Sequence, residues 1–300
     1  IYNDGLKRTF ELYSKYLSKN FKIILVTNTI NNQNLKFINS KVKIINVKNI
    51  FLSKIKFVNE IACLIKISKF FNKDSIVFSM DKHLYPLVLK FLGFNFKIIL
   101  RIPNPIHNHS SLSKKKFINK NIFTDNPGSE LGILDLKFLK YSNKVIVYSK
   151  NHLYLLKKNY GLKNVELIRN YFPKYNGKKK LKKIYNIFFV GRLVKSKDPV
   201  FFLKNSLELI ENLNVKINII GDGILLKKLR QIAKDLKKKV KFYGFVKNPF
   251  KKYNKIMDLL CLTSKYDGTP NVLGEATSFK IPCLAPRGIG CVNEIFNNGK

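Results

Sequence analysis

Short apolar runs alternate along the chain with longer stretches in which apolar positions recur every three or four residues. Phe21–Thr27, Ser75–Ser79, Phe96–Leu100, Lys144–Tyr148 and Val165–Ile168 are runs rich in Ile, Val and Phe, short enough for strands buried on both faces. Between them, Leu6–Ser18, Phe57–Phe71 and His152–Asn159 carry helical periodicity. The same alternation runs through the second half, with strands expected at Asn186–Val190, Lys216–Ile220, Val240–Tyr243, Leu259–Thr263 and Pro282–Ala285. One intervening helix sets Leu225, Leu229, Ile232, Ala233 and Leu236 on a single face. Buried strands alternating with amphipathic helices predict an α/β fold of parallel sheets built from βαβ units.

Ser110–Lys120 is a polar, basic loop of little regular pattern, and the alternation itself breaks at Lys174–Lys183, a polar and basic stretch containing Gly177. It reads as a linker, dividing the chain into residues 1–178 and 179–300. At 300 residues and 45% apolar, each part is large enough to bury its own core. No run of 18 apolar residues occurs, so no spanning helix is expected. The chain opens on Ile1 and stops at Lys300, just after Asn-Asn-Gly, and is read as a fragment cut at both ends, the first strand of the first domain among the missing parts. Cys63, Cys261, Cys283 and Cys291 form no C-x-x-C pair and read as small buried hydrophobes of a reducing compartment. The formal charge of +39 has two readings. One is AT-rich coding bias, since Lys, Asn, Ile, Phe and Tyr are abundant together; the other is a basic face toward a membrane or an anionic ligand.

In open parallel sheets, ligands bind beyond the carboxyl ends of the strands, and three motifs are placed there. Gly191 lets the chain turn at the end of the first strand after the linker, and Arg192 and Lys197 follow on the loop. Asp198 or Ser196 is positioned to cap the next helix, with Pro199 in its first turn. Arg grips phosphate oxygens bidentately and Lys adds a point charge. Gly221-Asp222-Gly223 ends another strand and suits either close approach of a ligand or an ordinary turn. The segment Tyr266–Lys280 is the sharpest of the three. Thr269 is expected as N-cap and Pro270 at the first helical position, which leaves the amides of Asn271, Val272 and Leu273 for an anion such as diphosphate. Asp267 precedes this helix, and Glu275 lies about 7–8 Å along its axis. Two carboxylates so spaced reach different parts of one extended ligand, with hydroxyls at both ends and phosphates between. A capped amphipathic helix with two solvated acids is the competing reading.

The succession VGRLVKSKDP, IIGDG, VKFYGFV, DLLCLTSKYDGTPNVLGEATSFKIPCLAP and NEIFNNGK resembles, in order and spacing, family 4 glycosyltransferases of the GT-B fold. The likeness is greatest to bacterial enzymes of cell-surface polysaccharide and lipid-linked glycan synthesis. It covers about 115 residues strongly, and the rest more loosely through VIVYSKN and LIRNYF. It implies two Rossmann-like parallel-sheet domains facing across a cleft, acceptor-binding in 1–178 and nucleotide-sugar-binding in 179–300. It implies transfer of a sugar from a nucleotide-diphosphate sugar to a glycan or lipid-linked acceptor, with retention of configuration. The family's Glu-x7-Glu motif falls on Asp267 and Glu275. By resemblance Glu275 binds the ribose hydroxyls, Asp267 faces the transferred sugar, and Arg192 and Lys197 hold the diphosphate. Gly191, Gly221 and Gly223 line the nucleotide, and Thr269, Pro270, Asn271, Val272 and Leu273 line the diphosphate. Asp267 departs from the family in residue type, and Lys280 and Arg287 replace small or acidic residues, Arg287 as a further candidate phosphate contact. No cofactor is implied, and no metal is required, since no Asp-x-Asp pair is present.

The first domain is harder to read. Gly5, after Asp4, corresponds to the family's glycine-containing acceptor loop, and His83, His107 and His109 lie near strand ends, where each is either an acceptor contact or an ordinary surface or core residue. A cytoplasmic protein, resting on the inner face of the plasma membrane through anionic lipid, is expected from charge and resemblance together. A binding protein that keeps the fold without turnover is the alternative suggested by Asp267. Nucleic-acid binding rests on charge alone, with no RNA- or DNA-binding motif, and is not expected.

Overall fold

A computed structural model of the chain describes residues 10, 13–27, 42–46, 62, 65–80, 84–102, 138–170, 172, 185–236, 238–265, 267–289 and 291–296. They fall in two compact units, one drawn from the described residues up to 102, 138–146 and 162–166, the other from 147–161 and those from 167 onward.

The apolar runs form strands as expected. β3 (Ile76–Ser79), β4 (Lys97–Arg101), β5 (Lys144–Val147) and β6 (Val165–Leu167) make a four-stranded sheet in that order. The helix α1 (Leu84–Phe91) follows β3, and α2 (Lys150–Tyr160) follows β5. A separate pair joins β1 (Ile24–Thr27) in parallel to β2 (Lys43–Asn46). The strand β2 has no counterpart among the sequence expectations. Lys43 and Ile44 are exposed, so it lacks the unbroken apolar run that marks a strand covered on both sides.

The third sheet is parallel, with strands β7 (Asn186–Val190), β8 (Lys216–Ile220), β9 (Val240–Phe242), β10 (Leu259–Cys261) and β11 (Cys283–Leu284). Their order is β11-β10-β7-β8-β9. Between and after the strands come α3 (Pro199–Asn212), α4 (Leu226–Ile232), α5 (Pro249–Tyr253), α6 (Asn271–Ser278) and α7 (Val292–Ile295). Strand alternation splits the core into two layers. Ile187, Phe189, Ile217 and Ile219 pack with Leu203, Leu229 and Ala233 on one face. Phe188, Ile220 and Leu260 pack with Phe250, Leu273 and Val292 on the other. Leu225, Ile232 and Leu236 pack against the first layer, as their helical spacing predicts. Burying both faces of the sheet explains why its strands read as continuous apolar runs.

A polar ladder ties the strands together. The buried Asp258 accepts bonds through Oδ2 from the amides of Tyr185 and Asn186, at 3.1 and 2.9 Å. On the neighbouring strands, Tyr243 donates its hydroxyl to the buried Asn218 at 2.9 Å.

Where α6 ends, Ile281 N donates to Ala276 O at 3.0 Å and Lys280 N to Thr277 O at 2.9 Å. This paired closure needs a left-handed residue, and Lys280 supplies it at φ +57°. A lysine there is strained where glycine is not. Lys280→Gly is therefore expected to stabilise the protein by about 1 kcal/mol, seen as a rise of about 2–4 °C in a thermal melt. An unchanged or lower midpoint would contradict it.

Candidate functional site

The strand order of the third sheet reverses between β7 and β10: β8 and β9 extend it one way from β7, and β11 extends it the other way from β10. The loops leaving the carboxyl ends of β7 and β10 therefore lead to helices on opposite faces of the sheet, and such a switch point is the usual place for a ligand in these sheets. Arg192 and Lys197 are on the first of these loops, and Asp267 is on the second.

The loop after β7 is held by backbone bonds to its neighbour. Gly191 N donates to Ile220 O at 3.0 Å, Leu193 N to Asp222 O at 2.9 Å, and Leu225 N to Leu193 O at 3.0 Å. Gly221 and Gly223 are what allow this crossing. A Cβ on Gly221 would stand 1.8 Å from Gly191 O, and one on Gly223 would stand 2.6 Å from Leu193 O. What crowds both glycines is the chain's own backbone, at Gly191 and Leu193. Leu193 is fully buried and anchors the turn, while Arg192 beside it is half-buried. Asp198, at φ +46°, caps α3 by accepting from Phe201 N at 3.3 Å, with Pro199 opening the helix.

Further bonds stitch the two switch-point loops to each other. Thr263 shares its hydroxyl proton between Lys197 O and Asp198 O, both at 3.1 Å, and Lys265 N donates to Ser196 O at 2.9 Å. Lys265 Nζ lies 3.2 Å from Asp198 Oδ2. At the centre, Lys197 Nζ forms an ion pair with Asp267 Oδ2. The two side chains are only 21% and 14% exposed, so water screens this pair less than a surface pair. The Oγ of Ser264 is buried on the same loop without a hydrogen-bond partner among the described residues, and the Thr269 side chain faces the Cys291 thiol.

Two expectations about α6 need correction. Its N-cap is Pro270, not Thr269, and the helix opens at Asn271. Pro270 has ψ 89°, outside the helical region, and Thr269 Oγ1 bonds no amide. The amide of Leu273 is also engaged, donating to Pro270 O at 2.9 Å. Asn271 and Val272 remain as first-turn amides without an intrahelical acceptor. Glu275 lies one turn beyond Asn271 on the same side of the helix and is half-buried. The assembled chemistry is two cations, a helix N-terminus of about half a positive charge, and two carboxylates at different depths. That set suits an anion flanked by hydroxyl groups.

Gly5, His83, His107 and His109 lie outside the described residues. Arg287 is exposed in the turn after β11. Among the described residues, no group of three His, Cys, Asp or Glu side chains could hold a metal ion, and no helix is long and apolar enough to cross a membrane. Cys261, Cys283 and Cys291 are free thiols, and burial pushes Cys261 up to about 11. At neutral pH Cys261 is a thiol with little nucleophilic character.

Sequence reasoning missed Glu294. Its Oε2 pairs with Arg169 Nη2 at 2.6 Å, and its Oε1 accepts Lys150 N at 2.7 Å. It also missed Asn170, which donates to Asn271 Oδ1 at 2.6 Å, and Phe172, whose ring covers the α-carbon of Gly274. The segments LIRNYF and NEIF carry these residues, but nothing in either run shows which residues more than a hundred positions away they meet.

Residues 172–300 match the family model described as glycosyl transferases group 1. The chain is 42% identical over 97 residues to a Campylobacter jejuni protein named GalNAc-alpha-(1->4)-GalNAc-alpha-(1->3)-diNAcBac-PP-undecaprenol alpha-1,4-N-acetyl-D-galactosaminyltransferase. That match takes in 32% of this chain and 27% of the relative. It is 27% identical over 276 residues to an uncharacterized glycosyltransferase of Methanocaldococcus jannaschii, over 81% of this chain and 64% of that one. The chain thus spans about a quarter of the first relative's length and under two thirds of the second's. Among solved structures, Anabaena HepE in complex with UDP-glucose superposes with a TM-score of 0.68 at 13% identity, over 96% of this chain and 79% of that one. At that identity the likeness bears on fold, and the fold is the parallel-sheet α/β type of GT-B proteins.

Proposed function

We propose that the protein is a retaining glycosyltransferase that moves a sugar from a nucleoside-diphosphate sugar to a glycan or lipid-linked acceptor. The observation that carries this reading is the Lys197–Asp267 ion pair that joins the two loops at the switch point between β7 and β10, with Arg192 on the first loop and the first turn of α6 following the second. The family match over residues 172–300 and the named activity of the Campylobacter jejuni relative support it.

In this reading residues 179–300 hold the donor and residues 1–178 the acceptor. Arg192, Lys197 and the amides of Asn271 and Val272 bind the diphosphate. Glu275 takes the ribose hydroxyls and Asp267 faces the sugar. As the bond from the anomeric carbon to the phosphate oxygen breaks, negative charge grows on the diphosphate and positive charge on the sugar ring. Fixed cations and amides stabilise the first in a site that needs no reorganisation as reaction occurs. Asp267, across from Lys197, faces the second. This charge stabilisation does not call on a metal ion, so turnover is expected to persist in chelator. The basic chain, at +39, would favour an anionic lipid surface on the cytoplasmic side of the membrane, where a lipid-linked acceptor is presented.

The test is nucleoside-diphosphate release by the full chain from a panel of UDP-, GDP- and ADP-sugars, with glycan and lipid-linked acceptors. Glu275→Ala and Arg192→Ala should each lower kcat/KM about 100-fold, the equivalent of ~3 kcal/mol of charge-assisted bonding. Unchanged transfer in both variants would remove the site assignment. Product anomeric configuration by NMR decides retention. Asp267 in place of the family's glutamate favours a second reading, a sugar-nucleotide-binding protein without turnover; tight donor binding with no release across the panel would select it.

A further inference from the structure

A closed circuit of contacts surrounds the first turn of α6. Asn170 holds Asn271, the first residue of that helix. One turn along the same side, the ring of Phe172 fills the place a side chain would take at Gly274, where a Cβ would be 2.1 Å from its Cε2. Arg169, on the same segment, bonds Glu294 of α7. At the other end of α7, Cys291 N donates to Gly268 O at 3.1 Å, which returns the circuit to the loop of Asp267. Gly274 is buried within a helix of eight residues, where alanine would add about 1 kcal/mol of helix stability. A glycine there gives up that stability for the space the phenyl ring occupies.

We propose that Arg169, Asn170 and Phe172 form a positioning strap for the donor site, seated by Phe172 in the notch at Gly274 and by Arg169 on Glu294, and that the strap sets where the first turn of α6 lies. This rests on the reading of that turn as the diphosphate subsite. None of the strap residues touches the reacting atoms. They act through Asn271 and Gly274 on the direction of the Asn271 and Val272 amides.

The experiment is a double-mutant cycle in the full chain with Gly274→Ala and Phe172→Ala, read by calorimetric binding of UDP and GDP and by melting temperature. In the native background, the methyl of Gly274→Ala expels the ring and should weaken nucleoside-diphosphate binding about ten-fold. In the Phe172→Ala background, the same methyl meets no ring, and the further change should stay under two-fold. A loss from Gly274→Ala that is equal in both backgrounds overturns the strap, as does a lowered melting temperature with unchanged affinity. Should Gly274→Ala fail to fold, Phe172→Leu shortens the same contact and should weaken binding about three-fold; affinity equal to the native protein's then overturns the strap. A native protein that binds neither nucleotide overturns the donor reading and the strap with it. A native protein that binds, with every variant alike, overturns the strap alone.

Discussion

Alanine at Gly221 is expected to cost about 3–5 kcal/mol of folding stability, the largest effect of any single methyl in the second unit. Two causes act together. The residue stands at φ +144°, a conformation side chains rarely adopt, and the new Cβ would lie 1.8 Å from Gly191 O. The obstacle is backbone, so no rotamer change relieves it. Nor can the loops separate freely, because Gly191 N–Ile220 O and Leu193 N–Asp222 O hold them together on both sides of the contact. The contrast is Gly244→Ala. That residue is left-handed at φ +65° but has nothing within 4 Å of its Cβ direction, so the cost is about 1 kcal/mol. Urea unfolding of the two variants beside the native chain measures both, and equal midpoints would refute the argument. Because the same contact carries Arg192, Gly221→Ala should also weaken donor binding under conditions where the variant remains folded.

The largest expected effect on activity belongs to Lys197. If its ammonium stabilises the departing diphosphate, Lys197→Met should lower kcat about 100- to 1000-fold, or ~3–4 kcal/mol of transition-state stabilisation. The ion pair with Asp267 makes the test sharper. Before a donor enters, Lys197 is already neutralised by a carboxylate. A diphosphate must compete for it, so part of the binding energy goes to breaking that pair. Asp267→Asn should therefore keep or tighten UDP affinity while lowering kcat, because it frees the lysine and, in the proposed reading, removes the charge facing the sugar. Steady-state kinetics and UDP calorimetry on both variants separate the two roles. Asp267→Asn weakening UDP in step with kcat would mean that Asp267 serves to hold the loop rather than to face the sugar.

Much of this was legible in the residues. β7 and β8 follow their apolar runs, because a strand covered on both faces has no reason to place a charge in its middle. Asp198, followed by Pro199, announces the start of α3. The loops of Arg192, Lys197 and Asp267 could be placed at the carboxyl ends of strands, but where the sheet order reverses depends on which strands neighbour β7, and that is not written in the residues. Other features lay beyond reach for stated causes. β2 reads Lys-Ile-Ile-Asn with Lys43 and Ile44 both exposed, too short and too open an apolar run to stand out. The cap of α6 shifted by one residue because Thr269 and Pro270 both have cap-like chemistry, and only the backbone angles separate them. Arg169–Glu294 and Phe172–Gly274 join residues more than a hundred positions apart, and local periodicity carries no information about such pairs.

The bonds from Asp258 to the Tyr185 and Asn186 amides sit at the amino ends of β10 and β7, while the cation and carboxylate loops leave the opposite ends. A strand advances about 3.3 Å per residue, so a slip of one residue between these two strands would carry Lys197 and Asp267 out of reach of each other. Asp258 thus works as an alignment pin at the root of the two strands, about 15 Å from the groups it keeps in line. Substitutions at the tips of either loop are free to vary as long as this pin stays in place.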